Sequence, residues 1–87
     1  MLQQEWIETL EKQGVKNLQV ITLEPGFKGE HTHDERTIHV ILKGELIVED
    51  ATGEKIYKAG DYIEFPAGTT HSVVFGHDGL SMIVGTK

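Results

Sequence analysis

The sequence predicts an all-β protein, a sandwich or closed barrel of seven short strands preceded by one short helix. Three observations carry this expectation. From Asn17 onward β-branched and aromatic residues recur in short runs. Those runs are separated by Gly, Pro and Asp clusters that favour tight turns. Helical periodicity is confined to the first residues, where Leu2, Trp6 and Leu10 recur at i, i+4 and i+8.

The helix is expected over the segment ending at Gly14. Ile7 widens its apolar stripe, Glu8 stands four residues before Lys12, and Gly14 supplies a C-terminal stop. Strands are expected at Leu18–Leu23, Thr37–Leu42, Glu45–Glu49, Lys55–Lys58, Tyr62–Phe65, His71–Phe75 and Leu80–Val84. Their connections read as Lys43-Gly44, Asp50–Gly53, Ala59–Asp61, Pro66–Gly68 and Gly76–Gly79. Strands this short suit a closed barrel, because closure removes exposed edges. Ile38–Leu42 is apolar on both faces apart from His39, so its second face needs a cover, either the helix or another subunit.

Composition narrows the function. A chain of 87 residues makes one domain with a thin core, and without cysteine it has no disulfide to support it. Metal binding or self-association is the remaining support, and a homodimer is expected. Fourteen acidic residues against eight basic give a net charge of −6, which repels phosphate backbones and anionic lipid. Nucleic acid and membrane are therefore not expected partners. The first residues carry acidic side chains and lack the apolar run of a signal peptide, so a cytoplasmic location is expected.

Three of the five histidines fall in informative places. His31 and His33 stand two apart, so an extended backbone aims both imidazoles to one side, as a shared metal requires. Alone the pair is weak, since roughly 0.3 such pairs per chain arise by chance at this histidine content. The segment from Gly60 to His71 is more specific: a glycine turn feeds a strand, Pro66-Ala67-Gly68 reverses it, and His71 opens the next strand. Gly, Pro, Gly and His at those offsets would arise in about two per thousand shuffled chains.

Together these segments resemble the cupin superfamily. Its first motif, a Gly, then His-x-His, a Glu and a further Gly, is matched by Gly26, His31, His33 and Gly44, with the first spacing one residue short. Thr37 occupies the Glu position. Its second motif, a Gly followed by Pro-x-Gly-x-x-His and commonly Asn, is matched by Gly60, Pro66, Gly68 and His71, with Phe75 in the Asn position. The resemblance implies a double-stranded β-helix, the cupin-type jelly-roll barrel, over residues 15–87, with residues 1–14 as a helix packed on it. It further implies that His31, His33 and His71 converge on one divalent metal: iron, manganese, nickel or zinc.

With Thr37 in place of a carboxylate, three neutral imidazoles leave the site at +2 rather than +1, and such a site attracts anions. Glu35 is a candidate substitute ligand. His39, two residues beyond Thr37 on the same strand face, is a candidate further ligand or acid/base group. Thr37, Phe65, Val73 and Phe75 are expected to wall the pocket. The expected function is a metal-dependent dioxygenase or isomerase acting on a small oxygen-bearing molecule. The alternatives are a non-catalytic cupin that binds a small ligand or uses the metal as a clasp, and a sensor or partner-binding module.

Overall fold

The computed structural model describes residues 2–32 and 34–87; the side chains of residues 27–31 and 75–78 lie outside that description. The chain forms α1 (Gln3–Lys12) and six antiparallel strands: β1 (Lys16–Leu23), β2 (Gly26–Thr32), β3 (Thr37–Asp50), β4 (Gly53–Lys58), β5 (Tyr62–Phe65) and β6 (Thr70–Thr86). It is a jelly-roll β-barrel with an N-terminal helix.

Two long strands make the barrel from one continuous sheet. The first part of β3 pairs with β5 (Thr37↔Phe65 to Val40↔Tyr62) and its last part with β4 (Glu45↔Lys58 to Asp50↔Gly53). Likewise the first part of β6 pairs with β2 and its last part with β1, while β3 lies along its other edge. One half of the barrel is thus β1-β6-β3-β5 and the other is β2-β6-β3-β4. Side chains from both halves share one core: Ile41, Leu46, Val48, Ile63, Phe65, Val73, Leu80 and Met82.

Gly44 and Gly79 are where the long strands bend. Lys43-Gly44 and Gly76–Gly79, expected as connections, instead lie inside β3 and β6, so four expected strands merge into two. The physical reason is local. The β3–β6 register shifts on both sides of Gly44, whose φ is 89°, and Gly79 has a φ of 78°. A glycine in this conformation kinks a strand without ending it. Strand β2 is the second difference from expectation. Its residues lack β-branched alternation, and it is held by pairing with β6 from Gly26↔Phe75 to Thr32↔Thr70.

The helix covers the outer face of the first half. Leu10 and Val15 are buried with Ile38, Val40 and Ile83, and Trp6, Ile7, Leu18 and Leu42 pack around them. Its C-terminus explains the placement. The Gly14 N–H donates to the Glu11 carbonyl and the Val15 N–H to the Leu10 carbonyl, each at 3.0 Å, around Gly14 at φ 85°. This is a Schellman stop, whose accompanying apolar contact joins the last turn to the residue after the glycine; here Leu10 and Val15 supply it. At the other end the Glu5 carboxylate accepts the Leu2 N–H. Leu10 is only 1% exposed. Leu10→Ala is therefore expected to cost about 3 kcal/mol, read from the shift of a urea unfolding midpoint.

Candidate functional site

His71 is placed by the turn before it. Gly68 has a φ of 84°, which suits the third residue of a reversal, and both the N–H and hydroxyl of Thr69 donate to the Pro66 carbonyl, at 3.2 and 2.7 Å. The chain then enters β6 with His71 turned inward and 3% exposed. Directly opposite on β2, the backbone of His31 is in register with it. Beside this pair the hydroxyls of Thr32 and Thr70 share a hydrogen bond of 2.7 Å, which ties the two strands together at the site.

Thr37 and His39 reach the interior from β3, where alternate side chains share a face. Both are buried, at 9% and 8% exposure. Phe65, the register partner of Thr37, stands between the two halves of the site. Its ring meets His71 edge-on at a centroid distance of 4.3 Å and His39 edge-on at 5.2 Å. His39, Phe65 and His71 therefore form one continuous aromatic group in the barrel. Val73 is buried in the core, two residues beyond His71.

The Thr37 hydroxyl is buried and has no hydrogen-bond partner among the described residues. Such a group costs free energy unless something beyond those residues satisfies it. It sits where the cupin motif has its carboxylate.

The structure also adds two residues that the sequence reading omitted. Glu49 and Asp50, at the end of β3, line an open depression of about 340 Å³ with Ala51, Thr70, His71 and Ser72. The Asp50 carboxyl is held below its ordinary range chiefly by the Thr52 hydroxyl and then the Thr52 N–H, which donate at 2.6 and 2.8 Å. Lys55 and His71 add smaller attractions. Asp50 is thus a fixed anion at the mouth beside His71. Its turn-like sequence context conceals this, because the neighbour is brought in by the β3–β6 register.

Among the described residues, no group of three His, Cys, Asp or Glu side chains is arranged to hold a metal. His33 and the side chains of His31 and Phe75 lie outside the described residues. Glu35 is exposed and lines a different groove with Lys16, Arg36 and Thr86, one that His71 does not enter. No helix among the described residues is long and apolar enough to cross a membrane.

Known proteins show the same architecture. A DUF861 family protein from Thermotoga maritima superposes with a TM-score of 0.74 at 18% identity, covering 92% of this chain and 90% of that one. A cupin-like protein from Thermotoga maritima MSB8 gives 0.68 at 27% identity, covering 88% and 62%. A putative ethanolamine utilization protein Q from Salmonella typhimurium LT2 gives 0.69 at 22% identity; 79% of this chain covers 55% of that one. None of the curated proteins matches the sequence significantly. The sequence profile of the cupin domain, by contrast, matches residues 19–84, spanning both motifs and all of the barrel but the first residues of β1 and the last of β6, and on that match the chain belongs to the cupin domain family.

Proposed function

We propose that this protein is a small metal-binding cupin in which His31, His33 and His71 hold one divalent ion, iron, manganese, nickel or zinc, and that it acts on a small oxygen-bearing molecule. The observation that carries this reading is the inward, buried His71 in register with His31, facing an interior where the Thr37 hydroxyl lacks a partner among the described residues. The donor chemistry fits iron, nickel and zinc, which imidazole nitrogen suits, better than manganese, which favours oxygen donors, and the neutral threonine leaves the positive charge uncompensated.

When bound, the ion would supply a Lewis acid that attracts oxygen donors and lowers the pKa of a bound hydroxyl or enol. The chain's own groups would do the rest. The Thr37 hydroxyl would donate to an oxygen of the ligand. His39 would accept the proton that the ligand releases, as an acid/base group separated from His71 by the Phe65 ring. Phe65 and Val73 would exclude water and fix the ligand's approach. Asp50 and Glu49 would give the mouth a negative field that draws cations inward.

Metal analysis of the purified protein tests the reading. About one equivalent is expected in the wild type, falling below about a tenth in His31→Ala and His71→Ala, because each removes one of three ligands. Affinity should decline as pH falls through about 6.5, since the imidazoles must be neutral to bind. Less than a tenth of an equivalent in wild type, unchanged in either variant, would refute it.

A second reading, the metal as a structural clasp, is favoured by one observation: Phe65, whose ring meets His71, belongs to a core already filled by Leu46, Val48 and Val73. A metallated protein that turns over no diketone, phenol, thiol or sugar, yet loses several kcal/mol of stability to a chelator, would establish the clasp.

A further inference from the structure

Strand β2 meets β6 in two different registers. Gly26↔Phe75, Phe27↔Val74 and Lys28↔Val73 share one alignment, whereas His31↔His71 and Thr32↔Thr70 are one residue out of it, with the shift between Lys28 and His31. Over that interval β2 carries one residue more than β6, a β-bulge. Without the bulge the first alignment would continue, setting Glu30 against His71 and His31 against Thr70. Successive residues of a strand face opposite sides, so that slip would move His31 to the sheet face away from His71.

Little in β2 itself selects the bulged alignment. The strand spans seven residues, two of them Gly26 and Gly29, and it pairs with β6 alone among the described residues. Glycine-rich strands hold their register weakly. The row beyond the histidines supplies what β2 lacks. Thr32 ends β2, Thr70 begins β6, and their hydroxyls share a hydrogen bond of 2.7 Å. In the slipped alignment Thr32 would stand against Thr69, a residue of the preceding turn whose hydroxyl donates to the Pro66 carbonyl, and the Thr32–Thr70 bond would be lost. We propose that Thr32 and Thr70 are positioning residues, whose hydroxyl bond latches β2 in the bulged register and so keeps His31 opposite His71. The consequence for metal binding rests on the three-histidine reading; the register does not.

Cross-strand backbone nuclear Overhauser contacts in the metal-free full chain read the register, and zinc affinity by chelator competition reads its consequence. Wild type should show contacts from His31 to His71. Thr70→Val and Thr32→Val keep the shape and strand preference of threonine. Each should replace these contacts, in part or in full, with contacts from Glu30 to His71, and should weaken zinc binding at least tenfold, the scale of losing a group that orients a ligand. Contacts from Ile21 to Met82 across β1 and β6 should persist, showing a folded barrel. Thr70→Ser should behave as wild type. Thr22→Val removes a comparable hydroxyl pair, with Ser81, far from the bulge and should leave zinc affinity unchanged. Deleting Gly29 removes the extra residue, so regular pairing alone sets His31 against His71, and Thr70→Val in that background should leave the register intact. Valine variants that keep the wild-type contacts, or a Thr70→Val as disruptive with Gly29 deleted as without, would overturn the latch. Contacts that shift as expected in a protein binding no zinc would support the latch and count against the three-histidine site.

Discussion

Gly44→Ala is expected to cost about 3 to 5 kcal/mol, enough to leave a domain of this size largely unfolded at room temperature. Two effects add. At φ 89° any residue with a β-carbon carries the left-handed penalty, about 1 to 2 kcal/mol. The added carbon would also run into the backbone carbonyl of Gly79, and neither backbone can yield without opening the β3–β6 pairing. Gly79 is itself packed tightly, since a β-carbon there would sit 2.5 Å from the Leu23 carbonyl oxygen. Gly14→Ala separates the two effects. Its φ of 85° is almost the same, but nothing lies within 4 Å of the added carbon. Only the conformational term remains there, about 1 kcal/mol. Urea unfolding of both variants measures the difference; equal losses would mean that the crossing of β3, β6 and β1 is not as tight as the structure has it.

This crossing is also where sequence reasoning reached its limit. Lys43-Gly44 has the composition of a turn, and nothing local distinguishes a glycine that ends a strand from one that bends it. The difference lies in a carbonyl thirty-odd residues away, delivered only when the barrel closes. Strand β2 failed to show for the related reason that its pairing partner, not its own side-chain pattern, makes it a strand. What was legible followed from period. The four-residue spacing of Leu2, Trp6 and Leu10 marked a helix, and the two-sided apolar run at Ile38–Leu42 required a cover for its second face. That cover is the helix itself, with Leu10 against Ile38 and Val40. In the site, alternation along β3 put Thr37 and His39 on one face, and the Pro66–His71 segment located a strand start. The Phe65 contact between His39 and His71, and Asp50 at the mouth, depend on long-range register that no local pattern encodes.

Thr37→Glu should convert the site's charge and couple its stability to metal. In the metal-free protein a glutamate at this buried position would be stripped of water, and desolvation would cost on the order of 3 kcal/mol or push its carboxyl pKa upward. A divalent ion on His31, His33 and His71 would reverse that penalty, because the carboxylate then neutralises one of two positive charges. The variant is thus expected to be markedly less stable than wild type in chelator and to regain most of the loss with metal. Its metal affinity should exceed the wild type's by at least about tenfold, the increment of a single well-placed charged ligand. Thr37→Ala is the control. It removes a hydroxyl that has no partner among the described residues, so its stability in chelator should change by less than about 1 kcal/mol. Calorimetric unfolding with and without metal reads both effects in one experiment. If Thr37→Glu were as stable as wild type in chelator and gained nothing from metal, position 37 would not face the three histidines, and the uncompensated positive charge proposed for the metal site would go with it.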